Sequence, residues 1–125
     1  MSLRALVVDD ADDVRLLVRQ VCRLVGVETE EAPSGVAALE RLATGPLPDL
    51  VVLDVQMPEL DGWDTLAAIR RNERTRTLPV ILCSVRSQPI DVERAIALGA
   101  SEVVPKPFGI EELAAVVKQV IERSA

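Results

Sequence analysis

No histidine occurs anywhere in the chain. That absence removes Ser-His-Asp and Cys-His nucleophile systems and any zinc site built on imidazole. Tyrosine is absent too, and Trp63 and Phe108 are the only aromatic residues. Two isolated rings read as packing residues rather than as a platform on which bases stack. The two cysteines, Cys22 and Cys83, lie far apart and form no CxxC motif, so they read as reduced core thiols. Positive charge is scarce: 14 Lys and Arg against 20 Asp and Glu give a net charge of −6. The isoelectric point is about 4.7. Such a balance argues against nucleic-acid binding by this domain and against anionic membrane surfaces. Long apolar runs are missing as well. The longest stretch without a charge, Thr77–Val85, is far short of the roughly 20 residues a spanning helix needs. The amino terminus has no apolar core of the secretory kind. Together these absences predict a cytoplasmic location with no membrane contact.

What is present suits one globular domain over residues 1–125, with 49% hydrophobic and 27% charged residues. Leu3–Val8 is an apolar run and reads as a strand. Asp12 and Asp13 favour a helix start, where backbone N–H groups are unpaired. Val14, Leu17, Val18, Val21, Cys22 and Val25 then recur at three and four, up to Gly26. Val27–Glu31 alternates polar and apolar residues and predicts an edge strand. Ser34 is placed to cap a helix over Val36–Leu42 that stops at Gly45. After Pro46 and Pro48, Asp49–Asp54 is a second continuous apolar run. A helix from Gly62 to Arg70, a strand over Pro79–Ser84, a helix over Gln88–Leu98, a brief strand at Val103-Val104 and a helix over Gly109–Glu122 follow. Alternation of apolar strands with helices predicts an α/β fold whose parallel sheet is covered on both faces.

In such a sheet the carboxyl ends of all strands lie on one edge, where open α/β sheets bind ligands. Reading off those ends gives Asp9 and Asp10 after the first strand, Asp54 after the third, Ser84 after the fourth and Lys106 after the fifth. Each alone has a plainer role, as a cap, a strand end or a surface charge. Asp12 and Asp13 keep that plainer role, as helix-start residues. Together the others put three carboxylates, a hydroxyl and an ammonium in one crevice. Close carboxylates repel unless a cation joins them, and a hard divalent ion such as Mg²⁺ prefers oxygen ligands of this kind. A metal, an ammonium and a hydroxyl around one carboxylate suit phosphoryl transfer, with Asp54 attacking in line.

The motifs Val7-Val8-Asp9-Asp10, Leu53-Asp54-Val55-Gln56-Met57-Pro58 with Asp61-Gly62, Ser84, Leu98-Gly99-Ala100 and Lys106-Pro107-Phe108 run in this order. In this the chain resembles the receiver domains of two-component response regulators, over essentially its full length. The resemblance implies a flavodoxin-like (βα)5 fold with strand order 2-1-3-4-5. It implies that Asp54 takes a phosphoryl group from a phosphohistidine on a sensor histidine kinase or phosphotransfer protein. It implies a Mg²⁺ site formed by Asp9, Asp10, Asp54 and the backbone carbonyl of Gln56. Lys106 would contact the phosphoryl group, Ser84 would be the switch hydroxyl, and the Lys106–Pro107 peptide would be cis. The implied role is a switch rather than an enzyme with a free substrate, apart from its own phosphorylation and slow autodephosphorylation. A phosphorylation-linked homodimer is compatible with it, and the output partner or effector is not named by the sequence.

Three positions depart from the family's usual form. Val103 stands where an aromatic switch residue is common, Val85 where a small residue is, and Pro105 directly precedes the lysine. A proline in a sheet fits only an edge strand, which the fifth strand is predicted to be. Val85 and Val103 favour a degenerate receiver, a phosphorylation-independent interaction module, while the intact set of five residues argues for a working switch. A phosphatase of the haloacid-dehalogenase kind would need an aspartate at Gln56. A flavin site would need a phosphate-cradling loop after the first strand, where four aspartates repel phosphate.

Overall fold

A computed structural model describes residues 2–84 and 89–124. Five strands alternate with five helices: β1 (Leu3–Val8), α1 (Asp12–Leu24), β2 (Val27–Ala32), α2 (Gly35–Ala43), β3 (Leu50–Asp54), α3 (Gly62–Arg71), β4 (Val80–Ser84), α4 (Pro89–Ala97), β5 (Glu102–Pro105) and α5 (Ile110–Ser124). All strand pairs are parallel, in the order β2-β1-β3-β4-β5. The α/β, flavodoxin-like (βα)5 expectation therefore holds, and predicted element ends differ from the observed ones by a residue or two. The predicted start of the fourth helix at Gln88, and Val85, lie outside the described residues.

The strands are apolar without interruption because both of their faces are buried. Successive side chains of a strand point to opposite faces. Leu6, Val8, Val51, Leu53, Val80 and Leu82 join Ala38, Leu42, Leu66, Ile69 and Ala95 in one core, under α2, α3 and α4. Ala5, Val7, Leu50, Val52, Ile81 and Cys83 join Val18, Val21, Leu113, Val117 and Val120 in the other, under α1 and α5. Burying each large side chain is worth about 1.5–3 kcal/mol, so the central strands are pinned from two sides. β2 is an edge strand, and its interior residues between Val27 and Ala32 are exposed or half-buried, as its alternating pattern predicts. β5 is the other edge, which accommodates Pro105.

Helix ends follow local chemistry. The Ser34 hydroxyl accepts a hydrogen bond from the Ala37 N–H, and the Asp61 carboxylate accepts one from Asp64 N–H. Gly26, Gly45 and Gly99, each just past a helix, have positive φ. Cys22 and Cys83 are buried free thiols, and burial pushes them up to about 11 and about 12 respectively. Both are thus inert thiols at neutral pH, as read from the sequence. Among the described residues, no helix is long and apolar enough to cross a membrane.

Candidate functional site

The sheet order reverses between β1 and β3. From β1 the chain steps to β2 on one side and then returns to β3 on the other, and ligands of open α/β sheets sit at such a switch point. The strand register brings the predicted residues to this place. Val8 pairs with Leu53, so Asp9 and Asp54 stand level at the carboxyl edge. Asp54 pairs with Cys83 and Ser84 with Pro105, which sets Ser84 and Lys106 one step beyond. The Lys106 N–H donates to the Ser84 carbonyl at 2.6 Å, and the Lys106–Pro107 peptide is cis.

Asp9, Asp10 and Asp54 each offer an oxygen within 4.8 Å of the others. Asp9 and Asp54 are buried at 4% exposure, and Asp10 is exposed. Lys106 Nζ donates to Asp9 Oδ2 at 2.8 Å and lies 3.0 Å from Asp54 Oδ1. The second contact is an ion pair without hydrogen-bond alignment. Asp54 Oδ1 is completely buried and accepts no aligned hydrogen bond from any described residue. Such an oxygen is costly unless a charge meets it.

The electrostatics match this geometry. Burial raises the Asp54 carboxyl above the usual range, and Asp9 adds to the rise. The Lys106 ammonium and the Gln56 backbone N–H oppose the shift. Burial would lower the Lys106 pKa, but the hydrogen bond to Asp9 and the charges of Asp9 and Asp54 outweigh it, so the group stays charged. Two of the three converging carboxylates share one ammonium, the third is exposed at the rim, and one buried oxygen accepts no aligned hydrogen bond from a described residue. The residues fit a hard divalent cation such as Mg²⁺, which takes carboxylates and waters.

Ser84 is buried at the end of β4, and Gln56 is exposed in the loop directly after β3. Asp12 and Asp13 occupy the first turn of α1, where their charge faces the helix dipole. Asp9 combines both readings offered by the sequence. Its Oδ1 accepts from the Ala11 N–H at 2.9 Å, closing a local turn, while its Oδ2 faces the pocket. Trp63 is packed against the core under α3, with the Arg94 guanidinium 4.3 Å from its ring centroid. Val103 is half-buried against the same core.

Two contributors escape a reading of strand ends. Gly62 opens α3 because no side chain fits there. An added Cβ would stand 2.3 Å from the Asp54 carbonyl oxygen and 2.6 Å from Val55 Cα. The Gly62 N–H also donates to the Val55 carbonyl at 2.9 Å, so α3 abuts the residue that carries the site. Arg15 reaches back from α1, and its Nη1 donates to the Asp9 main-chain carbonyl at 2.6 Å. Its Nε donates to Glu31 Oε1 at 3.1 Å, and its Nη2 pairs with Asp12. Helical side chains lean toward the helix amino terminus, but the sequence alone does not reveal this three-way bond.

Residues 5–118 match the family model described as "Response regulator receiver domain". Among curated proteins, the transcriptional regulatory protein PrrA of Mycobacterium tuberculosis is 40% identical over 122 residues, covering 98% of this chain and 51% of PrrA. A CpxR homolog of Haemophilus influenzae, also a transcriptional regulatory protein, is 37% identical and covers 98% of this chain and 52% of its own length. The chain therefore spans about half the length of these relatives. Among solved structures, a response regulator of Chloroflexus aurantiacus superposes with a TM-score of 0.91 at 31% identity, covering 98% of this chain and all of that one. With its doubly covered parallel sheet and the acidic pocket at the switch point, the chain belongs to the response regulator receiver domains.

Proposed function

We propose that this chain is a phosphorylation switch in which Asp54 accepts a phosphoryl group from a phosphohistidine of a sensor histidine kinase or phosphotransfer protein. The observation that carries the reading is the buried Asp54 Oδ1. It faces two further carboxylates and an ammonium, and no aligned donor fills it among the described residues. An Asp54 carboxylate oxygen forms the new bond to phosphorus as the phosphorus–nitrogen bond of the donor imidazole breaks. A bound Mg²⁺, held by Asp9, Asp10, Asp54 and the Gln56 carbonyl, would neutralise the charge of the phosphoryl oxygens. Lys106 supplies a second positive charge, and Ser84 a hydroxyl that bonds the transferred group. The burial of Asp54 keeps bulk water from the acyl phosphate, which slows its hydrolysis.

Ionised Asp54 already carries one negative charge, and a phosphoryl monoester carries about −1.5 to −2. The switch therefore turns less on net charge than on three new acceptor oxygens. Ser84 and Lys106 can both bond them, which biases a two-state equilibrium of the domain. The domain, taken as residues 1–125, acts in the cytoplasm through an output partner or effector, with a phosphorylation-linked homodimer as one form of that output. It is not an enzyme with a free substrate.

Incubation with acetyl phosphate, or with beryllofluoride, plus Mg²⁺ should modify the wild-type protein. Asp54→Asn should abolish the modification, and chelation should suppress it. Modification that persists in Asp54→Asn would move the site elsewhere. A wild type that stays unmodified would instead be a phosphorylation-independent interaction module.

A further inference from the structure

We propose that Arg15 is a positioning residue for the divalent-cation site. Its guanidinium fixes the backbone of Asp9 and takes up two neighbouring carboxylates, so that the pocket presents Asp9, Asp10 and Asp54. The inference rests on the reading of that pocket as a cation site. The Asp9 N–H donates to the Ala32 carbonyl at 3.2 Å, the last rung between β1 and β2. Its Oδ1 accepts from Ala11 N–H and its Oδ2 from Lys106. The remaining handle is the Asp9 carbonyl, which stands where the ladder ends. β2 stops at Ala32, and the chain turns at Pro33, which has no N–H to offer. The donor to that carbonyl is Arg15 Nη1, at 2.6 Å.

The same guanidinium is anchored at both flanks, through Nε to Glu31 on β2 and through Nη2 to Asp12 on α1. Its side chain is only 12% exposed. Three nitrogens of one planar fork thus join the end of β1, the edge strand and the first turn of α1. A lysine ammonium is a point charge on a flexible stem and cannot span three acceptors in this way. Partners that orient metal ligands from behind typically change metal affinity by about 10–100-fold when removed. Arg15 also opposes cation binding by its own charge. That effect is smaller, less than about fivefold, because Asp12 and Glu31 already offset the charge and salt screens the rest. Positioning and charge therefore predict opposite outcomes, and positioning is the larger.

The test is calorimetric titration of the apo protein with Mg²⁺ in moderate salt, for wild type, Arg15→Lys, Arg15→Gln and Arg19→Gln. Arg19 is exposed on the same helix, and no hydrogen bond or ion pair joins it to Asp9, Asp10 or Asp54 among the described residues. Arg15→Lys and Arg15→Gln should both weaken Mg²⁺ binding about 10–100-fold, while Arg19→Gln stays near wild type. The melting temperature of each apo variant is read on the same samples. A lowered melting temperature with unchanged affinity would make Arg15 merely structural and overturn the proposal. So would wild-type affinity in Arg15→Lys or tighter binding in Arg15→Gln, since either outcome means that only charge matters. If Arg15→Gln does not fold, Arg15→Lys, which keeps the stem and the charge, decides alone. A wild type that binds no Mg²⁺ would overturn the cation-site reading together with this inference.

Discussion

At the scale of single residues, the pocket stores like charge that one ammonium holds in check. Asp9 Oδ2 and Asp54 Oδ1 both lie on Lys106 Nζ, and both carboxylates are buried. Replacing Lys106 by Met leaves them facing each other without a cation. Removing one partner of a buried ion pair costs about 3–5 kcal/mol. Lys106 keeps some solvent contact, so about 2–4 kcal/mol is expected at neutral pH without divalent cation. The sign with pH follows from Asp54. Its carboxyl is already raised above the usual range, so the folded state holds this proton more tightly than the unfolded chain. Stability from this group is greatest at low pH and declines as pH rises through the raised value. Without Lys106 the carboxyl rises further, and the deficit of Lys106→Met should shrink on acidification as the proton returns. Adding Asp54→Asn should restore most of the loss at neutral pH. Denaturant melts of the single and double variants across pH decide it. A deficit independent of pH, or one that Asp54→Asn fails to relieve, would mean that Lys106 acts through packing.

Elements show how far the sequence reaches and where it stops. The strands were legible because continuous apolar runs of Val, Leu and Ile have one stable use in a soluble chain, a sheet covered on both faces. The site was legible because the end of a parallel strand has a known place, so Asp9, Asp54, Ser84 and Lys106 could be grouped without coordinates. The loop from Gln56 to Asp61 was not legible in the same way. Pro58 and the pair Asp61-Gly62 look like turn residues, yet the left-handed residue is Glu59, at a φ of 64°. Asp61 is a helix cap, and Gly62 serves the close approach of α3 to β3. Local propensity registers that a glycine is needed, but not whether the demand is a dihedral angle or a neighbouring atom. Substitution separates the two. Gly45 has a φ of 73° and open space around an added Cβ, so Gly45→Ala should cost about 1 kcal/mol in backbone strain. Gly62→Ala drives a methyl into the Asp54 carbonyl and should cost about 2–4 kcal/mol. It should also weaken Mg²⁺ binding, because the backbone of Asp54 must move. Equal melting temperatures for the two variants would contradict the steric account.

At the scale of the whole molecule, the central strands join two cores, and the pocket sits on the edge that both cores support. Strain in the pocket is therefore borne by the global stability of the domain, where cation binding can be read. A ligand that binds only the folded state adds about 2.7 kcal/mol at a hundred times its dissociation constant, on the order of 10 °C in melting temperature for a domain of this size. A cation held by Asp54 would need the carboxyl ionised, whereas burial in the apo fold raises it above the usual range. The two states should thus respond oppositely to pH. Relative to Asp54→Asn, the apo wild type loses stability as pH rises through the raised Asp54 range. The Mg²⁺-dependent gain of the wild type grows over the same interval and levels off once Asp54 is fully ionised. Reference to Asp54→Asn cancels the titration of carboxylates far from the pocket, which both proteins share. Melting curves at several pH values, with and without Mg²⁺, measure both trends on the same samples. A Mg²⁺ gain that is the same in Asp54→Asn and wild type would place the ion away from Asp54. A gain that falls with rising pH would contradict the burial of an ionisable ligand at the switch point of the sheet.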